Sequence, residues 1–133
     1  MQYIKHYYVD DDYNTFCCEV TPEPKYKRHP CKEYAGLGVK VWLSDSDGVD
    51  VCLAELPDST SVSTTVDPDC GKNCVKVLTL EEFNSVATPY FEAQTLSSEA
   101  QQARQNGDEA TAETKETAAA AKLAEATTAI RAL

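Results

Sequence analysis

At 133 residues the chain has room for one small domain with a modest core, and not for two. A formal net charge of -10 favours solubility and repels phosphate backbones and anionic lipid, which argues against nucleic acid and membrane surfaces as partners. All eleven aromatics lie at or before Phe91, whereas 92–133 is mostly Ala, Thr, Glu, Gln and Ser, so the core has to come from the first two thirds.

No apolar run approaches the roughly 18 residues that span a bilayer, and the opening "MQYIKHYYVD" lacks the apolar stretch of a secretory signal. The expected setting is the cytosol, or something assembled there. Two runs, "QYIKHYYV" and "YNTFCCEV", are rich in β-branched and aromatic residues and read as strands joined by the acidic turn Asp10, Asp11, Asp12. The segment 21–38, "TPEPKYKRHPCKEYAGLG", carries three prolines and two glycines and reads as a loop.

The next stretch, "VKVWLSDSDGVDVCLAEL", alternates Val39, Val41 and Leu43 with Lys40, Trp42 and Ser44, then Val49, Val51 and Leu53 with Asp50, Cys52 and Ala54. A two-residue turn would pair Leu43 with Cys52 and split the aliphatics between faces. A three-residue loop, Ser46-Asp47-Gly48, pairs Leu43 with Val51 and Val41 with Leu53 and keeps all six on one face, so this register is expected. A calcium loop is rejected on spacing: counting from Asp45, the glycine falls at position 4 instead of 6, and position 12 is Leu56 instead of Glu.

After a polar, turn-rich run, "CVKVLTL" reads as a further strand, and Thr79 with Glu82 three residues on forms a capping-box signature for a helix start. Thr88-Pro89 is expected to reset the helix, with Thr88 as a second cap and Pro89 in first helical position. Tyr90, Ala93, Ser97 and Ala100 fit one apolar stripe; Ala112, Ala119, Leu123, Ala126, Ile130 and Leu133 fit another, out of phase with it. Between them lies "NGD" at 106–108, with Gly107 suited to end one helix and Asp108 to start the next. These caps favour an antiparallel helical hairpin over one continuous coiled coil. The expected fold is therefore α+β: a small antiparallel β domain built from hairpins over 1–80, then an Ala-rich helical segment over 81–133 with a break at 106–108. A helix whose stripe is mostly alanine buries little area per turn, so a partner surface is expected to hold it in place, a free, fraying tail being the alternative.

Chemistry is thinly represented. The six cysteines, Cys17, Cys18, Cys31, Cys52, Cys70 and Cys74, suggest disulfides by count, but a cytosolic origin opposes them. Cys70 and Cys74 are a candidate disulfide across a turn. His29, Cys31, Cys70 and Cys74 are candidate zinc ligands, although the paired spacing of metal sites occurs only once, and idle or buried thiols are the simpler reading. With two histidines, no serine elbow and no phosphate loop, no catalytic residue and no cofactor are assigned, and an enzyme is not expected. The basic cluster "KYKRHPCK", with Lys25, Lys27, Arg28 and Lys32, is either a contact for an acidic neighbour or a solvated loop.

The hairpin "VKVWLSDSDGVDVCLAEL", the strand-to-helix join "VKVLTLEEFNSV" and the helical end "EATAETKETAAAAKLAEATTAI" together resemble small structural proteins of tailed bacteriophage virions, particularly those of cyanophages. The resemblance covers about the last two thirds of the chain and implies a capsid-decorating or tail-associated protein present in many copies, made in the host cytoplasm and housed in the virion. It implies contacts with its own copies, as a homo-oligomer or lattice, and with other virion proteins, and it carries over no catalytic residue. An assembly chaperone or small binding module for a fibre, and a zinc- or thiol-dependent protein, are the alternatives.

Overall fold

The computed structural model describes residues 1–8, 14–15, 27–28, 38–44, 50–62 and 75–133. They form β1 (Gln2–Tyr8), β2 (Asn14–Thr15), β3 (Lys27–Arg28), β4 (Lys40–Ser44), β5 (Asp50–Leu56), β6 (Val75–Leu78), α1 (Leu80–Gln105) and α2 (Glu109–Ala132). The architecture is α+β: a four-stranded antiparallel sheet ordered β4-β5-β1-β6, then two helices. The chain divides into two compact units, Met1–Phe83 and Asn84–Leu133.

The β4–β5 hairpin has the expected register, with Val41 opposite Leu53 and Leu43 opposite Val51. Those four aliphatics share a face and are all buried, which is the outcome the period-two pattern demands. Val39, just ahead of β4, is 38 % exposed, and the turn at 45–49 lies outside the described residues.

β1 does not pair with β2. It lies between β5 and β6, with Ile4 opposite Ala54 and Val77, and His6 opposite Cys52 and Val75. β2 instead pairs with β3, a two-residue strand inside the segment read from sequence as loop. Because β1 and β5 are the inner strands, both faces of the sheet bury side chains: Ile4, His6, Cys52, Ala54 and Val75 on one, Lys5, Val51 and Leu53 on the other. Val62 packs on the cluster of Ile4, Ala54, Leu56 and Val75. The Gln2 amide helps fix the turn beyond β5 by donating to the carbonyls of Asp58 (3.0 Å) and Thr60 (2.6 Å).

The start of α1 is capped as the sequence indicated. The Thr79 amide donates to Glu82 Oε1 and the Glu82 amide donates to Thr79 Oγ1, both at 3.1 Å, so each residue satisfies the other's orphan group. Phe83, in the first turn, stacks at a tilt on Tyr3 of β1 with ring centroids 4.8 Å apart.

The expected reset at Thr88-Pro89 does not occur: α1 runs unbroken from Leu80 to Gln105 with Pro89 inside it. An interior proline removes one helical hydrogen bond and costs roughly 3 kcal/mol. Against that stands the spacing of Val86, Ala93 and Ala100, all buried and seven residues apart, which stay on one face only if the helix continues through Pro89.

Candidate functional site

The turn between the two helices explains how the helical hairpin forms. The Gly107 amide donates to the Arg104 carbonyl (3.1 Å) and the Asp108 amide to that of Ala103 (2.9 Å), the paired bonds of a Schellman motif, with Gly107 left-handed at φ 80°. Asp108 also opens α2: its carboxylate accepts from the Thr111 amide at 3.1 Å, and the Thr111 side chain, then that amide, hold its pKa below the ordinary value. One residue therefore closes α1 and caps α2.

Ion pairs set the register. Glu92 pairs with Lys122 (2.9 Å) and Glu99 with Lys115 (2.7 Å), so seven residues forward along α1 correspond to seven back along α2, the pattern of an antiparallel heptad seam. Arg104 pairs with both Glu109 and Glu116 next to the turn, and these carboxylates raise its pKa further. Within this register Val86, Ala93 and Ala100 of α1 and Ala112, Ala119 and Ala126 of α2 are buried with the same heptad interval. Small side chains let two backbones approach closely, so an alanine seam is thin.

This changes the role expected for the alanine stripe. Ala112, Ala119, Ala126 and Ile130 are at most 6 % exposed, so most of the surface assigned to partner contacts is already covered by the chain itself. The physical reason is proximity: α1 offers a matching heptad of small residues, tethered by a three-residue link. Leu123 differs, being 43 % exposed, and Leu133 is half-buried. Leu123 borders an open groove of about 280 Å³ along the hairpin, floored by Ala93, Ala119 and Ala120, with Glu116 also on its wall. Phe91 of α1 is 45 % exposed and lines, with Thr88, Thr95 and Leu96, a second hollow.

The remaining sequence candidates separate. Lys27 and Arg28 form β3, while Lys25 and Lys32 lie outside the described residues, as do His29, Cys31, Cys70 and Cys74 and therefore the candidate zinc set and disulfide. Among the described residues no group of three or more His, Cys, Asp or Glu side chains is placed to hold a metal ion, and no helix is long and apolar enough to cross a membrane.

The structure adds a pairing that sequence reasoning missed. His6 and Cys52 are direct cross-strand neighbours, both essentially inaccessible, and Trp42 meets His6 edge-on at 6.5 Å. The Cys52 thiol donates to the Leu53 carbonyl at 3.4 Å and packs as a small core group. Beside them on the opposite face lies Lys5, 5 % exposed and opposite Lys76; burial, and then the Lys76 charge, push its pKa down to about 8. None of these contacts has a local sequence signature, because all depend on β1 entering the sheet between β5 and β6.

No protein-family model, curated protein or solved structure matches the chain.

Proposed function

We propose that the chain is a non-enzymatic structural subunit that works by being built, in many copies, into a larger assembly. The setting proposed is the virion of a tailed bacteriophage, as a capsid-decorating or tail-associated component, following the resemblance drawn from the sequence. The observation that carries the structural role is the hairpin itself. Two helices of about 39 and 36 Å, taking 1.5 Å per residue, close a seam with their own small residues and still leave Phe91 and Leu123 on the outside. A rod of this kind presents apolar anchors on a rigid element, the arrangement that protein contacts favour. The most reactive side chains of the described sheet, His6 and Cys52, are sealed in its core, which supports contact over turnover.

The test is quantitative mass spectrometry of gradient-purified particles from infected cells. Many copies per particle are expected, with a strong loss when Phe91→Glu and Leu123→Glu are combined. Presence in the lysate but not in finished particles would replace this reading with the assembly chaperone.

A further inference from the structure

The link at 106–108 joins two helices whose seam contacts do not involve it. Glu92–Lys122, Glu99–Lys115 and Arg104–Glu116 each join α1 to α2, and the buried heptads Val86, Ala93, Ala100 and Ala112, Ala119, Ala126 repeat with matching intervals. A helix α2 supplied by another chain presents the same side chains in the same order. We propose that residues 106–108 are a swap hinge, through which α2 of a second copy takes the place of the chain's own α2 against α1.

Three features of the hinge support this. The break in helix is held by few groups, all of them local: the Schellman bonds at the left-handed Gly107 and at Asp108, the Asp108 cap, and the exposed Arg104–Glu109 ion pair across the link. A Cβ built on Gly107 meets no described atom within 4 Å, so the turn is not locked by packing. The link is flanked by "AQQARQ", of Ala, Gln and Arg, before it and by "EATAETKE", with Ala, Glu and Lys115, after it, helix formers that would readily continue through the link once its caps are removed. A short link also sets the concentration at which exchange competes. Short flexible tethers give effective concentrations of about millimolar, so isolated chains stay closed at micromolar levels and exchange where copies are crowded together. The inference concerns the hairpin alone and holds whether or not the chain belongs to a virion.

The experiment uses the full chain with Gly107→Ala and Asp108→Ala combined, which removes the left-handed residue and the cap together. Light scattering should give the mass of two chains at concentrations where the parent gives one, with the helical circular-dichroism signal retained. A helical variant that remains a monomer up to about millimolar, where the tether's advantage ends, overturns the proposal. Exchange of helices is distinguished from any other dimer by two charge-reversed copies in that background, one with Glu99→Lys and one with Lys115→Glu. Each alone places like charges on a rung; mixed, a swapped pair restores both rungs, so heterodimers should exceed a random mixture, and a random mixture overturns the swap. If the double variant loses its helical signal, the parent is concentrated to about millimolar and diluted: a slowly dissociating dimer supports the hinge, and immediate monomer overturns it.

Discussion

Gly38 sits directly against the backbone of Glu55: a Cβ on Gly38 would stand 1.7 Å from the Glu55 carbonyl oxygen, and the residue is left-handed at φ 76°. The neighbouring Val39 carbonyl accepts from the Glu55 amide at 3.0 Å, so the chain enters β4 pressed onto β5. Gly38→Ala is therefore expected to destabilise the protein by more than ~2 kcal/mol, through a backbone clash added to the left-handed penalty. Gly107→Ala, with open space around its Cβ, is expected to lose only about 1 kcal/mol within the monomer. Urea unfolding of both variants would check the order.

Lys5 should make stability depend on pH in the alkaline range. Its folded pKa of about 8 lies below the ordinary 10.5, so the unfolded chain binds more protons between those values. The burial penalty is then fully present below pH 8, shrinks as pH rises, and is gone above 10.5. Comparing Lys5→Met with the parent isolates this group. The stability difference in favour of the variant should fall by on the order of 3 kcal/mol from pH 7 to pH 10.5, and a flat difference in denaturant titrations would contradict the burial described.

Thr79→Ala removes the hydroxyl that accepts the Glu82 amide and should cost about 1 kcal/mol. The reciprocal bond from the Thr79 amide, aided by the Thr79 hydroxyl and by Lys76 at 3.7 Å, keeps the Glu82 carboxyl below its ordinary pKa. This contribution is present above the ordinary carboxylate range and is lost as pH falls through the lowered value. Helix content followed by circular dichroism on acidification should decline at higher pH in Glu82→Gln than in the parent.

The ion-pair rungs are partly exposed, with side chains about a third to a half accessible, so each is worth about 0.2–1 kcal/mol and is screened by salt. Glu99→Lys should lower thermal stability slightly, Lys115→Glu likewise, and the double reversal should recover most of the loss. If the double variant is no better than the sum of the two, these residues do not form a rung.

Local structure was legible where the chemistry is local. The register of Leu43 with Val51 follows from a period of two, the Thr79–Glu82 cap from four residues, and the turn at Gly107 and Asp108 from three. Less was legible where distant pairing decides. Nothing near Lys5, His6 or Cys52 in sequence announces their burial, which follows from β1 lying between β5 and β6. Pro89 misled for the opposite reason: a strong local signal was overridden by the seam that Val86 and Ala93 share across it. The alanine stripe lies on α2 as its spacing indicated, but most of it is buried within the chain, and Leu123 is its exposed member.

The place of β1 also bears on how the chain is made. Gln2 pairs with Leu56 and Tyr3 with Leu78, so β1 leaves the ribosome well ahead of β5 and further still ahead of β6, its two neighbours. Until then Ile4 and the tyrosines beside it are exposed, and pairing over such sequence distances is slow relative to forming a helical hairpin. Nascent chains halted before Leu78 should thus be sticky and protease-sensitive, with protection arriving only once β6 has emerged.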